Sequence, residues 1–446
     1  MSTLAAPRVE DLAAQLDAAR GRTLALTDRL DDRDLVVQHS ALMSPLVWDL
    51  AHVANYEELW LARAAGGLEP LRPELDDLYD AFAHPRRDRP ALPLLEPVAA
   101  RQYAAQVRVR TRDVLAAADL DAEAMPAPGS DLARAGYLYA MVSQHEQQHA
   151  ETMLATHQLR SGPPVLDDGG ALPPGRPYDG DVLVPGGVCT LGTSTDPWSW
   201  DNERPAHAVE VASFRIDVLP VTNAQYASFV AAGGYHDPAY WTKDGWAQVH
   251  GDGITAPLFW SDDGAGWYAR RRFGRVEALP PDEPVQHVGF HEASAYARWR
   301  GRRLPTEVEW EKACGWDPST RRARRFPWGD EEPTPERANL SDDRTGAALR
   351  PAPVGAYPAG ASAYGVQQLL GDVWEWTSTR FGGYPGFRAW PYREYSQVFF
   401  GPEHRVLRGG SWATHPSVAR TTFRNWDYPI RRQIFAGFRT AVSVPD

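Results

Sequence analysis

His145 and His149 stand four residues apart in the stretch SQHEQQHAET (143–152), inside a long segment of unbroken helical pattern. On a helix that spacing sets both imidazoles on one face. Neutral imidazole is a common ligand for transition metals, so the pair points to a metal site that lacks a third donor. His52, in SPLVWDLAHVANYEELW (44–60), offers one, on a helix face that also carries Trp48, Tyr56 and Leu59. The candidate ligand set is therefore His52, His145 and His149. Two other readings of the same residues stand beside it. An i, i+4 histidine pair also serves as a hydrogen-bonded core pair or a solvated face, and His145 followed by Glu146 fits the H-E-x-x-H pattern of zinc hydrolases.

Four helical patterns must position these side chains: residues 9–30, 45–65, 97–118 and 132–159 repeat apolar positions every three or four residues. A four-helix bundle is expected. Ser44 is placed to cap the second helix, with Pro45 in its first turn. Between the second and third helices runs a long polar connection, 69–96, which includes Arg86, Arg87, Asp88 and Arg89. A proline- and glycine-rich stretch, GPPVLDDGGALPPGRPYDG (162–180), follows the bundle and reads as a linker. Beyond it the pattern changes to short apolar runs such as 181–184 and 209–218, with Thr306 and Glu309 forming a capping box at a short helix. The expected architecture is multidomain: an all-α bundle over 1–161, a linker over 162–181, and an α+β domain over 182–446 without internal repeats.

A chain of 446 residues exceeds what one hydrophobic core usually serves. Its formal charge of -12 argues against nucleic acid or an anionic membrane as partner, leaving small molecules. No apolar run reaches eighteen residues and residues 1–10 lack a signal-peptide pattern, so the expected location is the cytoplasm. The two cysteines, Cys189 and Cys314, give no disulfide framework and suit a reducing compartment. Tryptophan and tyrosine, seventeen each, concentrate after residue 190.

The second domain carries VPGG (184–187), NERPAH (202–207), PVTNAQY (220–226), RLPTEVEWEKA (303–313), FPWGD (326–330), GDVWEWT (371–377), RVLRGGSW (405–412) and GFRTA (437–441). In these strings it resembles the formylglycine-generating enzyme and sulfatase-modifying-factor family, a variant of the C-type lectin-like fold. The first domain resembles the DinB-like bundle, in which three histidines hold a metal. The two together resemble the sulfoxide synthases of ergothioneine biosynthesis. The formylglycine branch uses a cysteine pair near the C-terminus. Here no cysteine follows Gly409, and Thr440 follows the GFR motif, so chemistry of that kind is not expected.

What the resemblance implies is a non-haem iron(II) enzyme that uses dioxygen to join a thiol to hercynine, the betaine of histidine, as a sulfoxide. Forming the C–S bond and oxidising the sulfur remove four electrons, which dioxygen accepts, so no further reductant is implied. Arg86 and Arg89 match the arginine pair of the branch that uses γ-glutamylcysteine, guanidinium forks being suited to its carboxylates; related enzymes take cysteine instead. Alone, PRRDR also fits a solvated basic loop, and Arg87 is an alternative to either neighbour. Asp427 and Arg431 match family positions for the substrate ammonium and carboxylate, although a buried aspartate between arginines could equally be a structural ion pair. For the trimethylammonium of hercynine, Tyr395 and Trp426 are candidates, with Gln148 and Asn425 as polar contacts. Tyr392 matches the family's proton-donating tyrosine, and a tyrosine is protonated at neutral pH; packing of the loop is the alternative use of both tyrosines.

Two rival functions follow from the same chain. One is a thiol transferase using a divalent metal such as zinc and no dioxygen. The other is a lectin-like receptor carrying an inert bundle. Acidic clusters at Asp330-Glu331-Glu332 and Asp342-Asp343 are candidate calcium ligands or solvated charge.

Overall fold

The computed structural model describes residues 8–121, 124–167, 169–262, 268–341 and 348–444, so Asp342 and Asp343 lie outside the described residues. The chain divides into two compact units. One comprises Met1–Asp167 with Thr195–Trp198, the other Asp168–Ser194 with Ser199–Asp446. No helix among the described residues is long and apolar enough to cross a membrane.

The first unit is helical. Its long helices are α1 (Val9–Thr27), α3 (Leu46–Glu57), α5 (Pro97–Ala116) and α6 (Tyr137–Leu159), with short α2 (Asp32–Val36) and α4 (Leu75–Leu78) between them. Apolar positions such as Leu12, Leu16, Leu50, Val107 and Met153 are buried, as the periodicity requires. Charge is buried here too. Arg20 bridges Glu57 at 2.8 Å and Glu146 at 2.7 Å, and Arg108 meets Glu57 at 2.8 Å. Glu57 and Glu146 are thereby each matched by a guanidinium, the condition under which ions are tolerated in a core.

Three local expectations are corrected. Ser44 does not cap α3: Pro45 occupies the N-cap, and the Ser44 hydroxyl instead accepts from Arg89 Nη1 at 2.6 Å. The last helix starts at Tyr137, because Gly136 takes the left-handed φ of 70° that a residue entering a helix cannot share with its successors. Leu59 leaves the His52 face and is 39 % exposed, since α3 continues as a wider π-helix over Glu58–Ala65 that rotates later residues out of register.

The second unit is α+β with much irregular chain. Strand Phe214–Asp217 lies between Asp181–Val184 and Ala441–Ser443 in an antiparallel sheet. A four-stranded sheet runs in the order Asn425–Asp427, Arg405–Arg408, Trp374–Arg380, Ala436–Gly437, its last pair parallel. The apolar run 209–218 is two strands, His207–Val211 and Phe214–Asp217. Helices α7 (Asn223–Ala231), α8 (Lys243–Gly251), α9 (Phe290–Trp299) and α10 (Glu307–Gly315) complete the unit. Thr306 caps α10 through the expected box, its hydroxyl accepting from the Glu309 N–H at 3.2 Å while Glu309 accepts from the Thr306 N–H at 2.7 Å.

One core cluster of this unit gathers Val184, Phe214, Ile216, Trp310, Phe326 and Leu370 around Cys189 and Cys314. Burial raises these thiols to about 11 and about 12 respectively. Of the acidic cluster at 330–332, Glu331 pairs with Arg337 and Glu332 with Arg325.

Candidate metal centre and substrate-binding residues

Helices α3 and α6 bring His52, His145 and His149 together, with one ring nitrogen of each lying within 4.8 Å of the others. The ring centroids are 5.3 Å apart for His52 and His145, 4.7 Å for His52 and His149, and 4.6 Å for His145 and His149. One helix supplies two of them at i, i+4, and the other supplies the third from a buried face.

The partners of each ring decide which nitrogen faces the centre. His52 Nδ1 lies 2.8 Å from the carbonyl of Tyr79, which can only accept, so Nδ1 carries the proton and Nε2 keeps its lone pair. His149 Nδ1 donates in the same way to Asp49 Oδ1 at 3.1 Å, and Asp49 is buried. This carboxylate–histidine pairing orients a ligand ring and raises its basicity. His145 Nδ1 is buried with no hydrogen-bond partner among the described residues. Burial first, then its histidine neighbours, pulls both His52 and His145 well below the usual imidazole pKa, which keeps them neutral. Two buried, neutral imidazoles, a third ring oriented by Asp49, and an orphaned nitrogen fit a bound transition metal. Tyr56 stacks on His145 at 3.7 Å and Trp48 on His52 at 4.5 Å, walling the centre with aromatic surface.

Glu146, by contrast, belongs to the core network of Arg20 and Arg108. On a helix it points about 100° away from His145. The zinc-hydrolase reading needs this carboxylate as a base beside the metal, and the ion pairs hold it elsewhere. Gln148 is half-buried on the histidine face of α6 and donates to the Gln144 carbonyl at 3.3 Å.

Arg86 and Arg89 lie on a 3-10 turn, Arg86–Ala91. Arg89 is buried. Its Nε donates to the His84 carbonyl at 3.0 Å, Nη1 to Ser44, and Nη2 to the Ala81 carbonyl at 3.1 Å, which leaves one hydrogen on each terminal nitrogen beyond these bonds. Burial lowers this guanidinium to about 10, still charged at neutral pH. It lies 3.5 Å over the ring of Trp48, the same ring that stacks on His52. Arg86 Nη1 donates to the Leu42 carbonyl at 3.0 Å, while Arg87 is exposed and sits 3.7 Å from Asp88.

In the second unit, Tyr392, Tyr395 and Trp426 form one aromatic group. Tyr395 meets Tyr392 at 6.3 Å and Trp426 edge-on at 5.8 Å. Trp200 stacks flat on Tyr395 at 3.7 Å and Phe381 on Trp426 at 4.2 Å, so each ring is backed on one face. Burial, then the Tyr392 ring nearby, pushes the Tyr395 hydroxyl well above its usual pKa. Asn425 accepts from the Trp426 N–H at 2.8 Å through its side chain. Asp427 and Arg431 lie 3.3 Å apart, both partly exposed, and Asp427 also accepts from the Tyr428 N–H at 2.8 Å.

Three residues of consequence escaped the sequence reading. Asp49 precedes His52 by one helical turn, a position that could have drawn notice. Trp200 and Asp201 adjoin the NERPAH motif but meet the tyrosine loop only across nearly two hundred residues.

Comparison with known proteins agrees with this organisation. The DinB superfamily matches residues 15–153 and the sulfatase-modifying factor enzyme 1-like domain matches residues 171–444. A formylglycine-generating enzyme of Streptomyces coelicolor is 35% identical over 60% of this chain and 91% of its own length. Two proteins named hercynine oxygenase are each 53% identical: that of Mycolicibacterium thermoresistibile over 100% of this chain and 97% of its own, and that of Mycolicibacterium smegmatis over 98% and 99%. The architecture is thus that of an oxygenase built from a DinB bundle and a sulfatase-modifying-factor domain. Within that class, the chain belongs to the hercynine oxygenase family.

Proposed function

We propose that this protein is a non-haem iron(II)-dependent sulfoxide synthase of ergothioneine biosynthesis. It joins γ-glutamylcysteine to hercynine with dioxygen, giving γ-glutamyl-hercynylcysteine sulfoxide and water. The observation that carries this reading is the convergence of His52, His145 and His149, joined by no carboxylate among the described residues, in a chain whose full-length relatives bear the name hercynine oxygenase. An all-nitrogen set suits several transition metals, and three histidines would leave further coordination positions for substrates. When bound, iron supplies the redox chemistry that couples loss of four electrons from the substrates to dioxygen.

The chain's own residues do the rest. Arg86 and Arg89 bind the carboxylates of the thiol peptide, the hydrogens left on Arg89 being directed by its three anchoring bonds. Arg431 binds a carboxylate and Asp427 the ammonium of the same substrate. Tyr395 and Trp426 receive the trimethylammonium of hercynine against ring faces, with Gln148 and Asn425 as polar contacts. Tyr392 is the catalytic proton donor through its phenol hydroxyl. The metal-binding domain spans 1–161, a linker 162–181 and the second domain 182–446, and the protein works in the cytoplasm, where its unpaired cysteines are at home.

The test is anaerobic loading with iron(II), then air with hercynine and γ-glutamylcysteine, following oxygen uptake and product mass. A product equal to both substrates plus one oxygen less two hydrogens is the expected result. If that product forms only with cysteine, the thiol assignment changes. If neither thiol is coupled, or zinc supports turnover without oxygen, the thiol-transferase reading replaces this one.

A further inference from the structure

Asp201 is 1 % exposed and faces the loop that carries both tyrosines. Its Oδ1 accepts from the Ser396 hydroxyl at 2.7 Å and its Oδ2 from the backbone N–H of Trp390 at 3.4 Å. Those two donors bracket Tyr392 and Tyr395. The neighbours of Asp201 grip the same loop: Trp200 stacks on Tyr395 at 10° between planes, and the Arg204 guanidinium lies 5.3 Å over the ring of Trp390. The gripping segment is itself fixed, because Glu203 is buried in an ion pair with Arg420 and accepts from the Thr422 hydroxyl at 2.6 Å.

The loop has little regular structure of its own, only the short 3-10 turns Arg393–Tyr395 and Gln397–Phe399. A segment of that kind takes its position from the ties made to it. Burial pushes Asp201 up to about 7, and its bonds to Ser396 and the Trp390 N–H offset part of that cost.

We propose that Asp201 is a positioning residue for the reaction, which through Ser396 and the Trp390 N–H holds the Tyr392 hydroxyl where it delivers its proton. The inference rests on the role given to Tyr392 above. It extends that role to a carboxylate that touches neither substrate nor metal. Its consequence concerns the product. With the tyrosine loop loosened, the thiol still meets dioxygen but its sulfur takes both oxygen atoms, giving the sulfinic acid, a balanced reaction that leaves hercynine unused.

The experiment compares wild type, Asp201→Ala, Ser396→Ala, the double variant and Tyr392→Phe, each as the full iron-loaded chain, and reads the ratio of sulfoxide to sulfinate. Ser396→Ala removes one hydroxyl and keeps the test open where Asp201→Ala disturbs folding. In both single variants the ratio is expected to fall by roughly ten- to a hundredfold, as for a displacement of a reacting group by about 1 Å. The double variant should fall no further than the more affected single variant, the mark of one shared interaction. Amide exchange across 390–396 in the metal-free protein should quicken in each. If Tyr392→Phe diverts the product while Asp201→Ala and Ser396→Ala keep the wild-type ratio, Asp201 has no positioning role. If Tyr392→Phe itself leaves the ratio unchanged, the tyrosine assignment falls and takes this inference with it.

Discussion

The histidine centre and the tyrosine loop are held in opposite ways. The three histidines sit on two long helices, where backbone geometry fixes the direction of each side chain; a bond to Asp49 finishes the orientation of His149, one to the Tyr79 carbonyl that of His52, and the stacked Tyr56 ring backs His145. The tyrosines sit on irregular chain, and almost everything that fixes them comes from residues distant in sequence: Trp200, Asp201 and Trp426. A helix-borne site tolerates loss of one supporting bond, whereas a loop-borne site depends on the sum of its ties. The first suits a group that must stay still, the second a group that must meet substrate.

The largest effect should come from the helices. His145→Ala removes a proposed ligand, and metal affinity should fall by more than the roughly hundredfold that loss of an outer partner brings at most; coupling activity should vanish while the bundle stays folded by circular dichroism. Retention of tight binding would mean that the metal sits elsewhere and would dissolve the comparison. Next comes Tyr392→Phe. Loss of a proton donor costs about 10²- to 10⁴-fold, so sulfoxide formation should drop by that order with thiol oxidation to the sulfinate persisting; unchanged sulfoxide output would take Tyr392 out of the mechanism. The smallest effect belongs to Asp49→Ala, for which metal affinity, titrated directly, should weaken about 10- to 100-fold. Asp49→Asn, which keeps an acceptor for His149 Nδ1, should recover part of the loss. If alanine and asparagine were alike and both as tight as wild type, helix geometry alone would suffice to orient His149.

The same contrast explains what could be read in advance. Histidines at i, i+4 announce a shared face because helical geometry is local, and the four long helices follow from apolar spacing alone. The ends of those helices were less legible: Arg89, forty-five residues away, takes the hydroxyl of Ser44 that local rules assign to a cap, and the π-helix after Glu57 turns Leu59 outward. Nothing in the spacing of Tyr392, Tyr395 and Trp426 reveals that they meet; only resemblance to a family raised them as candidates. Asp201 had no local signal at all, since its meaning lies in Ser396, 195 residues on.

Cys189 and Cys314 take on a second significance beside the proposed chemistry. A catalyst that presents sulfur to dioxygen is a hazard to any thiol within reach, including its own. Both cysteines lie in the core of the second unit, and burial pushes the Cys189 thiol up to about 11, so it is rarely ionised at neutral pH. Cys314, at about 12, is still less so. In the proposed reaction both thiols would stay bystanders, buried and protonated, so that many turnovers could pass without the enzyme entering its own list of substrates.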